Sequence, residues 1–233
     1  MRTAVVTGAS QGIGAAIALA LAAEAQTRVA LVSRRPEALE EVAARCREMG
    51  AEAQTFACDV TKDAQVAQMA AEVTALWGAP DVLVNNVGRF TPSAFSPEGA
   101  ADFRAQIDTN LTSAYLVTSA FLQGMLARAS GTIFFLGSVA SIKAYPGSVA
   151  YCAAKHGLLG MARVLREETR QKGLRVTTLL PGATLTPNWD GVDIPEERFV
   201  PAEDIAQAVV DVLKLSGRTV VEELLIRPQE GDI

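Results

Sequence analysis

A doubly wound α/β fold is what this sequence predicts: a single domain on a seven-stranded parallel sheet with helices on both faces. Three observations point to it. Short apolar runs alternate with helical patterns along all 233 residues. Most of those runs are continuously apolar, as strands covered on both faces are. The length suits one well-packed domain and is short for two.

In chain order, the strand-like runs are residues 3–7, 28–33, 53–59, 80–86, 131–138, 174–181 and 221–227. Helical patterns occupy 14–26, 36–49, 62–77, 98–128, 151–172 and 201–215. Pro36 and Pro201 suit first-turn helix positions, and Thr61 is placed to cap the third helix. Gly50, Gly78 and Gly173 follow helices where a left-handed residue is often needed. Strand–helix alternation then gives right-handed crossovers and a parallel sheet. The least regular stretch, about 185–200, is rich in Pro, Asp and Glu, and a loop of that length is expected to serve the substrate.

Composition removes several function classes. Hydrophobic residues make up 49% and charged residues 20%, the usage of an ordinary globular chain. A formal charge of -5 argues against nucleic acid or an anionic membrane as the main partner. Cys46, Cys58 and Cys152 lack metal-ligand spacing, and His156 is the single histidine, so no metal site is expected. The opening MRTAVVTGAS has neither a basic leader nor an apolar core, and no run is long enough to span a bilayer. A cytoplasmic location follows as the expectation.

The first strand runs into TGASQGIG, residues 7–14, and an Ala-rich helix follows at once. Gly8 permits the tight turn, Gly12 lets backbone approach a pyrophosphate, and Gly14 brings helix and sheet together. The helix N-terminus then offers free N–H groups and a positive dipole end to the phosphates. A glycine triplet alone is an ordinary turn; one between the first strand and the first helix is the context that makes it a dinucleotide cradle. A ribose-reading carboxylate would stand at the end of the second strand in an NAD site. This chain has Ser33-Arg34-Arg35 there. Guanidinium groups grip a 2′-phosphate, so NADP(H) is favoured, with NAD(H) the alternative and two solvated loop charges the plain reading.

Tyr151 and Lys155, in YCAAK, share a helix face. Ser138 ends the fifth strand at the carboxyl edge, where open α/β sheets bind ligands. Asn110 lies inside a helix, an unfavourable position unless its amide has a specific partner.

These segments, together with NNVG at 85–88 and PGATLT at 181–186, resemble the short-chain dehydrogenase/reductase family, in its single-domain branch marked by TGxxxGxG and YxxxK. The resemblance covers nearly the whole chain and implies a Rossmann-type fold and hydride transfer between a nicotinamide cofactor and a carbonyl or alcohol carbon. It implies Tyr151 as general acid or base and Ser138 as donor to the reacting oxygen. Asn110 would hold a relay water, and Lys155 would bind the nicotinamide ribose and lower the tyrosine pKa. It extends the cofactor site to Ser10, Gln11, Ile13, Asn86, Gly88, Pro181, Gly182 and Thr184. Thr186 would contact the carboxamide, and Asp59 with Val60 the adenine. A small-molecule ketone or a 3-oxoacyl thioester would be the substrate, and the chain would pair as a homodimer or homotetramer. Ala153, Ala154, Gly157 and Gly160 would form part of the pairing face.

Coulomb's law sizes the role of the lysine. A positive charge about 6 Å away at an effective dielectric of about 20 is worth about 3 kcal/mol, which would bring a tyrosine from about 10 to near 8. Three departures from the family pattern stand out. Gln11 occupies a position often basic in NADP-preferring relatives, Val87 replaces alanine in NNAG, and the C-terminal strand lacks a closing double glycine. Two rival readings remain at this point, a non-catalytic nucleotide sensor on the same fold and a methyltransferase; the first leaves Asn110, Ser138, Tyr151 and Lys155 idle, the second leaves YCAAK and PGATLT without purpose. Tyr115 is read as helix packing, Tyr145 as lining the substrate pocket, and His156 as structural.

Overall fold

A computed structural model describes residues 1–96 and 99–233. Among these residues seven strands form one parallel sheet in the order β3-β2-β1-β4-β5-β6-β7. The strands are β1 (Arg2–Thr7), β2 (Thr27–Ser33), β3 (Glu52–Ala57), β4 (Val82–Asn85), β5 (Gly131–Leu136), β6 (Leu174–Pro181) and β7 (Glu223–Ile226). The helices are α1 (Gly12–Ala22), α2 (Pro36–Glu48), α3 (Asp63–Trp77), α4 (Ala100–Ile107), α5 (Ser113–Arg128), α6 (Val149–Thr169) and α7 (Ala202–Lys214).

The continuous apolar runs acquire their reason here. Side chains alternate between faces along a strand, so each central strand feeds two cores. Ala4, Val6, Val29, Leu31, Val82, Val84, Phe134 and Leu136 pack beneath α1, α2 and α7. Their neighbours Val5, Ala30, Val32, Leu83, Ile133 and Phe135 pack beneath α3, α5 and α6. Strand order reverses between β1 and β4, and the crevice at their carboxyl ends is where such sheets bind ligands.

Several expected boundaries shift for local reasons. The helix expected over 98–128 is not continuous: a π-helical turn, Asp108–Thr112, separates α4 from α5, and its expected start at Glu98 lies outside the described residues. Such a wider turn inserts one residue and re-aims those beside it. Residues 23–26 leave α1 because Gln26 takes a left-handed φ of 57° and its carbonyl accepts the N–H of Arg2 at 2.8 Å. Thr61 does not cap α3; Lys62 holds that position, and the Thr61 hydroxyl donates to Asp59 Oδ1 at 2.8 Å. Pro36 opens α2, whereas Pro201 stands one residue before α7. Gly50, Gly78 and Gly173 all take positive φ, at 92°, 80° and 80°. Tyr115 is solvent-exposed on α5 instead of packed.

Candidate active site

Three segments converge at the carboxyl edge of β1, β4 and β5. The first is the glycine turn. A Cβ on Gly14 would lie 2.3 Å from the Gly8 carbonyl oxygen, and one on Gly8 would lie 2.7 Å from Asn86 Nδ2. Asn86 locks the turn from below: its N–H donates to Thr7 Oγ1 at 3.0 Å, and Nδ2 donates to the Thr7 carbonyl at 3.0 Å and the Gly8 carbonyl at 3.3 Å. Its amide is therefore spent on the chain itself. Gln11 caps α1 in extended conformation without using its side chain, and the first turn of α1 has no acidic residue, so its N–H groups face the crevice free of a competing carboxylate. Ile13 anchors that turn by packing against the core. Thr186, from the loop after β6, faces Gly12: a Cβ on Gly12 would be 3.1 Å from its methyl carbon.

Beside this turn, the end of β2 brings three predicted residues together. The Arg35 guanidinium donates to Gln11 Oε1 and, at 3.3 Å, to Ser10 Oγ. Ser33 accepts the Arg35 N–H at 3.3 Å and shapes the corner. Arg34 makes no such bond, and its charge is felt at Asp59. Burial works to raise that carboxyl, but hydrogen bonds from Thr61 and the charges of Arg34 and Lys62 outweigh it and hold Asp59 below the ordinary carboxylate value. Val60 is buried in the core behind it.

The second segment follows β4. A Cβ on Gly88 would meet Asn110 Oδ1 at 3.0 Å and Lys155 Nζ at 3.2 Å, so only glycine lets these groups crowd against the backbone. Asn110, in the π-helical turn, accepts the Arg89 N–H at 2.9 Å and donates to the carbonyls of Arg89 and Gln106, both at 3.0 Å. Its two amide protons are committed, leaving one Oδ1 lone pair and the main-chain carbonyl as the groups that could hold a water.

The third segment runs from β5 to α6. The strand stops at Leu136, two residues short of Ser138, because Ser138 begins a 3₁₀ turn, Val139–Ser141. Ser138 Oγ accepts the Ala140 N–H at 3.1 Å, and its own N–H donates to Ser141 Oγ at 3.2 Å. These bonds fix the hydroxyl toward Tyr151. Lys155 is buried and donates to the Leu136 carbonyl at 2.7 Å, with its ammonium 5.7 Å from the Tyr151 ring centroid.

The expected acidification of Tyr151 by Lys155 does not hold in the protein alone. Burial pushes the phenol above its ordinary 10, against the opposing pull of the Ser138 hydroxyl. Lys155 is the group that moves into the working range: burial lowers it to about 8. Lys155 gives up its proton near 8, before a phenol raised above 10 ionises, so no ammonium is left to acidify it.

After β6, Gly182 N–H donates to the Ile226 carbonyl at 2.7 Å, and a Cβ there would press on Pro228 at 2.9 Å. Pro181, the last residue of β6, pairs in register with Ile226. Thr184 donates to the Gly182 carbonyl at 3.0 Å, and its bridge to Val200 closes the base of the 185–200 loop. Two short 3₁₀ turns, Pro187–Trp189 and Glu196–Arg198, order that loop, and Trp189 meets Phe199 edge-on at 5.0 Å. Sequence reasoning missed Phe90, whose ring meets Tyr151 edge-on at 5.4 Å. It also missed Asp232, which binds Lys143, Tyr145 and Arg227. Neither carries a spacing signal, since each reaches its partners only through the tertiary fold. His156 Nδ1 bonds the Cys152 carbonyl at 2.9 Å, a local contact on α6.

Residues 2–196 match the short chain dehydrogenase family, and the chain belongs to it. It is an oxidoreductase of that family. The sepiapterin reductase of Chlorobaculum tepidum is 38% identical over 237 residues, covering 98% of this chain and 96% of that protein. Among solved structures, an alcohol dehydrogenase from Thermococcus sibiricus, complexed with 5-hydroxy-NADP, superposes with a TM-score of 0.90 at 31% identity, covering 98% of this chain and 97% of the other. A metagenomic short-chain oxidoreductase in complex with NADP gives 0.85 at 34%, with the same coverage. No described helix is long and apolar enough to cross a membrane. Among the described residues no three His, Cys, Asp or Glu side chains cluster to hold a metal.

Proposed function

We propose that this protein is an NADPH-dependent carbonyl reductase acting on a small ketone or 3-oxoacyl compound. The observation that carries the reading is the convergence of Ser138, Tyr151 and Lys155 beside a glycine turn with no room for side chains. The cradle fits the cofactor. Gly8, Gly12 and Gly14 leave backbone bare at the N-terminus of α1, and Arg35 with Ser10 and Gln11 offers the donors that a 2′-phosphate needs. Gln11, where a basic residue is frequent, has a guanidinium laid against it by Arg35 instead. The structural relatives' NADP and 5-hydroxy-NADP complexes support the same choice.

A nicotinamide bound in this crevice supplies the hydride. Tyr151 then gives its proton to the oxygen of the carbonyl being reduced. Its phenol stays protonated through the neutral range because burial raises its pKa, which suits an acid in the reducing direction. Ser138 donates a hydrogen bond to the same oxygen as negative charge develops there. Lys155, cationic below about 8, holds its ammonium beside the ring and is placed to bind the ribose. Asn110 fixes Gly88 and Arg89 and offers its remaining acceptors to a water that would resupply the proton.

The aromatic edges of Phe90 and Trp189 favour a flat or apolar substrate. Sepiapterin is the first compound to try, on the likeness to the Chlorobaculum enzyme. An NADPH-consumption screen over sepiapterin, simple ketones, aldehydes and 3-oxoacyl thioesters, with Tyr151→Phe as control, tests the reading. Turnover by wild type and none by the variant is expected; equal rates would remove Tyr151 from the chemistry. NADPH should raise the melting temperature more than NADH, and S-adenosylmethionine should not raise it.

Self-association as a homodimer or homotetramer goes with this reading. Ala154 is buried and Gly157 packs on Leu111, so those two face inward. Ala153, Gly160, Val164 and Tyr115 stay on the surface, and this outer face of α5 and α6 is the one we assign to pairing. Val164→Glu should lower the sedimenting mass.

A further inference from the structure

The segment between Ser138 and Tyr151 carries both catalytic hydroxyls at its ends, so anything that fixes it also fixes their separation. Its start is held by N–H groups of Ile142 and Lys143 on the Val139 carbonyl, at 3.1 and 3.0 Å. Its end is held by Ser93, whose N–H donates to the Gly147 carbonyl at 2.7 Å and whose hydroxyl accepts the Ala150 N–H at 3.1 Å. Between them, Ala144, Tyr145 and Pro146 have no backbone hydrogen bond among the described residues. What holds this middle portion is a single carboxylate from beyond β7, two strands along from β5. Asp232 Oδ2 accepts from Lys143 Nζ and from Tyr145 Oη, both at 2.9 Å. Its other oxygen accepts from Arg227 Nε at 2.9 Å, with Nη2 of the same guanidinium also 2.9 Å away, and Arg227 directly follows β7.

We infer that Asp232 is a positioning residue for the substrate side of the site: it ties the loop over residues 142–148 to the end of β7 and so sets the placement of Tyr145 and the entry to Tyr151. Isolated surface ion pairs hold geometry poorly. This carboxylate differs in being only 16% exposed and in accepting hydrogen bonds from three side chains. Contact with the catalytic helix is direct. The Cys152 thiol, next to Tyr151 in the chain, approaches the Lys143 carbonyl at 3.9 Å, and the Lys143 ammonium lies 5.1 Å from the Tyr145 ring centroid. Loosening the carboxylate therefore frees the loop on which the substrate would rest while leaving the glycine turn, on the other side of the crevice, untouched.

Only the kinetic part of the test rests on the proposed reductase activity. In Asp232→Asn, amide hydrogen exchange over 142–148 should quicken about ten-fold, with β1, β4 and β5 unchanged. Asp232→Glu should restore most of the protection. Tyr145→Phe should give a smaller effect in the same segment, and it serves as the second variant if Asp232→Asn folds poorly. With a substrate in hand, the KM for that substrate should rise about five-fold while kcat and the Kd for NADPH stay within about two-fold. Unchanged exchange overturns the inference. So does a raised KM without faster exchange, which would make Asp232 a substrate contact, and so does a matching loss of NADPH affinity. Absence of turnover in every variant, wild type included, would count against the reductase reading alone, and the exchange result would still decide this one.

Discussion

The crevice has two walls built on opposite principles. On the β1–α1 wall recognition would be made by leaving side chains out: Gly8, Gly12 and Gly14 keep backbone bare, and Asn86 braces it from behind. On the β5–α6 wall the work is done by side chains, each fixed by a hydrogen bond to backbone. Lys155 is held by the Leu136 carbonyl and the Ser138 hydroxyl by the Ala140 N–H, and across from them, in the turn between α4 and α5, Asn110 is held by Arg89 and Gln106. A bare wall tolerates almost no added atom but carries no titratable group. The other tolerates conservative replacement in shape, yet its chemistry hangs on single protons. Substitutions on the two walls should therefore fail differently.

The largest effect belongs to the catalytic wall. Tyr151→Phe keeps the ring against Phe90 and removes one oxygen, so kcat should fall about 1,000-fold while the melting temperature and NADPH affinity barely move. A variant that kept a tenth of the activity would give the proton to another group. Next comes the bare wall. Gly14→Ala drives a methyl to 2.3 Å from the Gly8 carbonyl and 2.4 Å from Asn86 Nδ2, neither of which can swing away. Overpacking of that kind should cost about 3 kcal/mol in urea unfolding, with activity and stability lost together. A stable Gly14→Ala protein that merely bound NADPH weakly would break the contrast between the walls.

The third effect separates the walls by pH. Below about 8 Lys155 is charged in folded and unfolded chains alike, and the folded chain carries the burial cost in full. From about 8 to 10.5 the folded chain releases a proton the unfolded chain still holds, so stability rises with pH. Tyr151 acts oppositely at the upper end: its folded value lies above 10, and stability falls as the unfolded phenol ionises first. Over the lysine window the gain is about 3 kcal/mol at most. Lys155→Met should lack it, and unfolding free energies that ran parallel for both proteins from pH 7.5 to about 10 would contradict the buried ammonium. With cofactor varied, kcat/KM for reduction should fall as pH rises through about 8, because the ammonium is lost there.

What could be read from sequence divides along the same line. The bare wall is legible because glycine spacing between a strand and a helix has few other uses, and the double core makes the parallel strands continuous in apolar residues. Tyr151 and Lys155 are legible as a helical pair, Ser138 by its place after β5. The break in the long helix is not: nothing in the residues around Asn110 marks a π-helical turn, in which the Asn110 amide bonds Arg89 from the loop after β4 and Gln106 one turn back. The direction of the Tyr151 pKa is not legible either, since a charge-pair sum leaves out the water that the phenol and the ammonium lose on folding. Phe90 and Asp232 act through contacts between distant segments, where composition and period are silent.

The smallest effect tests whether the bare wall needs any side chain at all. Arg34 and Arg35 are equivalent in sequence, but only Arg35 reaches Ser10 and Gln11, while Arg34 acts on Asp59 through its charge alone. Arg35→Ala should weaken NADPH about ten-fold, a typical loss for one charge-assisted phosphate contact, and leave NADH unchanged. Arg34→Ala should shift NADPH by no more than about two-fold, because an exposed charge at that distance is screened by salt. The ratio of NADPH to NADH affinity, measured for both variants, reads the 2′-phosphate contact without interference from folding. Equal losses for the two arginines would mean a diffuse positive field in place of a seat for the phosphate. A loss for both cofactors in Arg35→Ala would mean that this guanidinium holds the Gln11 turn itself, and that the first wall, too, depends on a side chain.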